Sequence, residues 1–215
     1  MREQYITLRG FGTGEYEEKK SRFVGEAAPV ATEAEAMDFI ESAKLRHSGA
    51  SHGAFAYLCG ETGLFKKCSD AGEPRGTAGA PILDVIEKSG MSDAVIVVTR
   101  YFGGTLLGAA GLIRSYGKAA TLAVAESGIV IKSLARRVAF TVELQSVNTV
   151  RYMLDKSGYA IESVAYGIDA EIVVISPDAE AGLLRAKITE LTAGAVLIEE
   201  IGYTYIDTIK TGNIR

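Results

Sequence analysis

The chain has 215 residues, 47% hydrophobic and 23% charged, which is enough apolar material for one large core or two smaller ones and too much for a disordered segment. Twenty-seven acidic against 23 basic residues give a net charge of −4, which excludes a nucleic-acid binder driven by overall charge and confines any anion site to a local patch. No apolar run reaches the roughly 18 residues of a membrane span. No charged-then-apolar leader is seen, so the expected setting is cytoplasmic, with Cys59 and Cys68 as free thiols.

In chain order, residues 16–30 mix charge with Phe23, Val24 and Val30 and read as a strand or hairpin arm. Thr32 with Glu35 is a capping-box pattern, and Ala36, Phe39, Ile40 and Ala43 then share one helical face. Residues 53–59 and 63–68 read as strands joined by Gly60, Glu61 and Thr62. Pro81 fits the first turn of a helix with Ile82, Leu83, Val85 and Ile86 on its apolar face, ended by Gly90. Residues 94–99, β-branched at nearly every position, predict a strand buried on both faces, and a helix over 109–126 follows. From about 136 the order is strand, helix, strand, strand, helix, strand, a ferredoxin-like βαββαβ unit. The fold class is therefore α+β: a mixed α/β domain over 1–133 and a ferredoxin-like domain over 134–215, dividing near 131–135. The second half has no His or Cys, and its acidic residues are dispersed as on a solvated surface.

Nine of the 24 glycines fall within residues 72–117, in two loops that carry basic residues. Glycine belongs where backbone turns sharply or something approaches closely, so the loops either build a ligand surface or let a helix pack tightly on a sheet. Arg100 leaving the buried strand and Arg114 in the following helix favour the ligand surface. Neither a P-loop nor a dinucleotide fingerprint fits: Gly111 to Lys118 has one residue too many and ends on Ala119, and Gly103 to Gly108 lacks the required spacing. Asp70 and Glu73 form a possible acidic site, as an acid/base pair or metal ligands, or they bond loop amides. His47 and His52, five apart, are badly spaced for joint ligation from one helix face, and His52 with Cys59 or Cys68 supplies only the components of a thiol hydrolase. No catalytic residue, metal or cofactor is assigned.

The run SDAGEPRGTAGAPIL, followed by VIVVTRYFGGTLLGAAGLIRSYGKA, resembles the signature of the YigZ/IMPACT family, as do Lys20 to Phe23 and His52 before Ala56 and Tyr57. The resemblance spans about residues 16–130, and the C-terminal unit is similar to the one bacterial members append. It implies an N-terminal fold like the second domain of a small-subunit ribosomal protein, shared with elongation factor G and kinases related to homoserine kinase. For the C-terminal domain it implies one similar to the last domain of elongation factor G. Eukaryotic members regulate translation through a stress kinase and its activator; bacterial members have no assigned reaction. Where the family pattern has a second acidic residue and a glycine, this chain has Ala71 and Ala110, which weakens a paired acidic site at Asp70.

The expected function is accordingly a non-enzymatic RNA- or ribosome-binding protein acting in translation or its regulation. Lys20, Arg22, Arg75, Arg100 and Arg114 would contact phosphates, Gly76, Thr77, Gly103 and Gly104 would offer loop backbone, and Tyr101 and Phe102 would stack on an unpaired base. The alternatives are an enzyme or sensor for a nucleotide or phosphorylated small molecule held by the glycine-rich loops, and a protein–protein adaptor docking through the C-terminal sheet. A membrane partner is not expected, and the sequence does not fix the oligomeric state.

Overall fold

The computed structural model describes residues 1–61 and 63–208. Thr62, at the end of the expected hairpin connection, and residues 209–215 of the expected C-terminal span lie outside the described residues. The chain forms two compact units: Tyr5–Ile131, and Met1–Gln4 together with Lys132–Thr208.

The first unit contains most of β1 (Gln4–Leu8), then β2 (Gly12–Glu18), β3 (Ser21–Pro29), α1 (Glu33–Arg46), β4 (His52–Cys59), β5 (Phe65–Ser69), α2 (Gly79–Lys88), β6 (Ala94–Tyr101) and α3 (Gly108–Ser127). Its sheet runs β2-β3-β6-β4-β5 with every neighbouring pair antiparallel. The single arm expected over 16–30 is a hairpin, β2 and β3, turning at Lys19 and Lys20. Two lysines carry none of the usual Gly, Asn or Pro turn chemistry, so the sequence gives no sign of the bend.

β6 is buried along its length except at Tyr101, as its β-branched run predicts. Its alternate residues serve two cores. Ala94, Ile96 and Val98 join Phe23, Ala27, Ala54 and Ala56 against Ile82 and Ile86 of α2 and Leu112, Tyr116 and Ala120 of α3. Val95 and Val97 join Ala28, Phe55 and Tyr57 against Ala36, Ile40 and Ala43 of α1 on the opposite face. α3 lies almost on the hairpin backbone, because a Cβ on Gly25 would stand 2.5 Å from the Ala119 carbonyl oxygen. α1 is capped much as the sequence pattern predicts: Glu35 N–H donates to Thr32 Oγ1 at 3.2 Å, and Ala31 N–H donates to Glu35 Oε2 at 2.8 Å.

The second unit is built from β7 (Ile129–Val142), α4 (Val147–Ser157), β8 (Ala160–Tyr166), β9 (Ala170–Pro177), α5 (Ala181–Leu191) and β10 (Val196–Thr208), in sheet order β10-β7-β9-β8. This is the βαββαβ arrangement, with Val147, Val150 and Leu154 of α4 and Leu184 and Ile188 of α5 closing over Val138, Phe140, Ile172 and Val174. β7 starts seven residues before the strand expected at 136, since the chain passes from one unit to the other in extended form. Some of this unit's acids are paired: Arg136 bonds both Asp178 and Glu200, and Arg137 stands 2.7 Å from Glu162. Among the described residues no helix is long and apolar enough to cross a membrane.

Candidate functional site

Antiparallel pairing sends four connections to one end of the first unit's sheet. Arg22 pairs with Tyr101, His52 with Arg100 and Phe55 with Ser69, so the Lys19–Lys20 turn, the segment before β4, loop 70–78 and loop 102–107 all emerge together. The two glycine-rich loops thus do converge, and an ion pair ties them. Arg100 Nη1 donates to Glu73 Oε1 at 2.7 Å, where Tyr116 Oη–H also donates at 2.8 Å. The side chains of Arg100 and Glu73 are 6% and 4% exposed. The guanidinium lies between the rings of Phe23 and Phe102, 5.5 and 5.3 Å from their centroids, and its Nη2 donates to Ser21 Oγ at 3.3 Å. Burial, followed by the bond to Glu73 and that carboxylate's charge, pushes the Tyr116 phenol far above its ordinary value and keeps it protonated.

Asp70 does the work of a helix cap from a distance. Its Oδ2 accepts from Gly76 N–H at 2.8 Å and its Oδ1 from Ala78 and Gly79 N–H at 3.0 and 2.9 Å, which closes loop 70–78 and satisfies the start of α2. Burial alone would raise its pKa; the three amides and the Arg75 charge outweigh it and hold the carboxyl below its ordinary value. A Cβ on Gly79 would meet Ser69 backbone at 2.7–2.8 Å, so the glycine here lets α2 begin against β5. Gly103 has the same cause: its Cβ would fall 2.0 Å from Lys20 backbone carbon. Its amide donates to Ser21 Oγ at 3.1 Å, seating the 102–107 loop on the lysine turn.

The expected contact residues divide accordingly. Lys20, Arg22, Arg75, Phe102, Gly104 and Arg114 are exposed, with Phe102 50% accessible. Gly76 is also exposed, at φ +76°, with its amide already given to Asp70. Arg100 is not a solvent-facing phosphate contact, because it points inward as Val98 does and Glu73 neutralises it. Tyr101, one residue on, faces the α1 side: its hydroxyl lies 2.9 Å from His47 Nδ1 and the Arg22 guanidinium covers its ring at 5.0 Å, so it is not a free stacking platform. Thr77 is buried and its hydroxyl donates to the Pro74 carbonyl at 2.7 Å. Glu73 is half of an ion pair, and it is not one of two paired acids. Among the described residues no group of three His, Cys, Asp or Glu side chains is placed to share a metal ion. Both cysteines are free, and burial pushes the Cys59 thiol up, the wrong direction for a nucleophile.

Three local arrangements at this end carried no sequence signal, although Lys20 and His52 did as residues. Lys19 and Lys20 sit at φ +46° and +66°, a backbone region that costs side-chain-bearing residues roughly 1–2 kcal/mol each. His47 ends α1 with its Nε2 3.4 Å from the buried Glu26 carboxylate. His52 Nδ1 is 3.0 Å from the Ala71 carbonyl, which can only accept, so this nitrogen carries the proton.

A two-domain α+β protein, with a basic and aromatic loop cluster at one end of its N-terminal sheet and a ferredoxin-like second unit, is the class these observations define. Residues 19–124 match the Impact N-terminal domain, and residues 140–195 match a domain of unknown function, DUF1949. The chain belongs to the IMPACT family. It is 36% identical over 207 residues to IMPACT family member YvyE of Bacillus subtilis, spanning 96% of this chain and 95% of that protein. With IMPACT family member YigZ of Escherichia coli it shares 30% identity over 180 residues, covering 83% of this chain and 88% of the relative. A solved structure described as that of a hypothetical protein superposes with a TM-score of 0.61 at 28% identity, covering 94% of this chain and 98% of that one.

Proposed function

We propose that the chain is a non-enzymatic single-stranded RNA-binding protein that acts on the ribosome or in the regulation of translation, and that it meets RNA at the loop end of the N-terminal sheet. The observation that carries this reading is the Lys19–Lys20 turn. Both lysines are exposed and held at positive φ, and the backbone of Lys20 is packed against Gly103, which follows the half-exposed Phe102, while Arg22 lies two residues further along β3. Strain kept at a surface turn, where Asn-Gly would relax it, is a reason to look for function. A basic rim with an exposed ring suits a flexible strand, whose phosphates meet the cations while one base stacks. The setting in translation rests on the family resemblance.

Fluorescence anisotropy with a short unstructured RNA across a salt series tests it. With Lys19, Lys20, Arg22 and Arg75 each neutralising one phosphate, log K should fall against log salt with a slope of about −2.8, or about 50-fold between 50 and 200 mM. Single strands should bind better than a duplex of the same length. Absence of binding at the lowest salt, or a slope near zero, would sink the reading.

A further inference from the structure

Beside the basic rim, and sharing Phe102 with it, lies a cleft of about 470 Å³. This volume lies within the range of small-molecule sites, roughly 300–1,000 Å³. Three independent features of its wall bear on what it holds. The first is apolar surface left open: Leu106 is 85% exposed and Phe102 50%, and both border the cleft beside the half-buried Leu107. The second is the start of α3. This 20-residue helix opens into the cleft at Gly108 and Ala109; its cap residue, Leu107, has no side-chain acceptor, and its first turn has no acidic residue. The third is Arg100, which also lines the cleft. It is 5% exposed, and its Nε is buried with no hydrogen-bond partner, although Nη1 and Nη2 are both bonded.

Uncapped helix amides favour negative charge, and a buried guanidinium N–H without an acceptor is costly to leave unmade. Glu73 is the one carboxylate in the cleft wall, and its Oε1 is already held by Arg100 and Tyr116, so repulsion of an incoming anion is muted. An anionic head at the α3 terminus would leave its attached body against Phe102, Leu106 and Leu107. We propose that this cleft is a binding site for a small organic anion, a phosphate or carboxylate head on an apolar body, which shares Phe102 with the RNA surface and none of its cations.

Isothermal titration calorimetry of the full chain with phenyl phosphate, hexanoate and inorganic phosphate tests this. Phenyl phosphate or hexanoate should bind at least about tenfold more tightly than inorganic phosphate, and which of the two is preferred identifies the head group. Two exposed positions separate head from body without threatening the fold. Ala109→Glu, which places a carboxylate in the first turn, should weaken both phosphates by about tenfold or more and leave thermal stability unchanged or raised. Leu106→Ser should weaken phenyl phosphate and leave inorganic phosphate unchanged. The proposal is overturned by no saturable heat with either organic anion up to about 5 mM. Affinity for inorganic phosphate equal to that for the better of the two organic anions, or undiminished binding of that anion by Ala109→Glu, would overturn it as well. RNA affinity of the same two variants reports on the rim separately, since neither change touches Lys19, Lys20 or Arg22.

Discussion

Replacing Glu73 by Ala would strand Arg100. The carboxylate holds both the guanidinium and the Tyr116 hydroxyl on one oxygen, at 2.7 and 2.8 Å, with both charged side chains at least nine-tenths buried. Without it Arg100 keeps a 3.3 Å bond to Ser21 and the faces of Phe23 and Phe102. Breaking one side of a buried pair costs about 3–5 kcal/mol, and the two ring faces retain about 1–2 kcal/mol for the cation. We therefore expect Glu73→Ala to destabilise the first unit by about 3 kcal/mol, a fall in Tm of roughly 6–12 °C. The double variant Glu73→Ala with Arg100→Met removes the orphaned charge and leaves only the Tyr116 hydroxyl unpaired, so its cost should be about 1–2 kcal/mol, below that of the single change. Urea unfolding followed by circular dichroism, completed with Arg100→Met alone, gives the coupling energy. The reasoning is refuted if Glu73→Ala costs under about 1 kcal/mol, or if the double variant costs as much as the two singles added.

Asp70→Asn should cost about 1–2 kcal/mol at pH 7 by weakening the amide cluster at the start of α2. Because the folded-state pKa of Asp70 lies below its ordinary value, its contribution is full above about pH 4 and fades as pH falls through the lowered value. The gap between wild type and variant in unfolding free energy should thus narrow on acidification, and a gap constant from pH 7 down to about 3 would contradict this. Gly103→Ala and Gly104→Ala form a contrasting pair. The first drives a methyl into Lys20 backbone, whereas the second meets open space at φ +83° and costs about 1 kcal/mol from backbone strain alone. Thermal melts should rank Gly103→Ala as clearly the worse, and equal melts would mean the loop does not rest on the lysine turn. Phe102→Ala should reduce RNA affinity by about 1–3 kcal/mol through lost base stacking while leaving the salt slope unchanged, as read by anisotropy.

The elements with a period were legible in the sequence: the capped α1, the β-branched β6, the α3 stripe and the βαββαβ order of the second unit. What failed to show were contacts between residues distant along the chain. Asp70 caps a helix that starts nine residues later, and a loop carboxylate with that reach has no fixed spacing to recognise. Arg100 read as a contact because it follows a buried strand; the alternation of β6 instead turns it inward toward Glu73, and Tyr101 outward to His47. Tyr116 counted as one more apolar residue of α3, although its hydroxyl completes the pair. The glycine bias was a true signal with two origins. Gly79 and Gly103 answer backbone packed against them, whereas Gly76 and Gly104 answer positive φ. The lysine turn was invisible, since Lys19 and Lys20 adopt a conformation their residue type argues against.

That turn carries the proposed RNA contact most directly. Replacing Lys19 and Lys20 by Asn and Gly supplies the residues a tight hairpin turn prefers and removes two cations from the rim. Measured side by side, thermal stability should rise, by up to about 2 kcal/mol, since glycine at position 20 removes one positive-φ side chain and asparagine tolerates the conformation at position 19. RNA affinity should fall, with the salt slope reduced in magnitude by about 1.4. A variant that is more stable and binds RNA with an unchanged slope would contradict the claim that this strained turn is held for RNA.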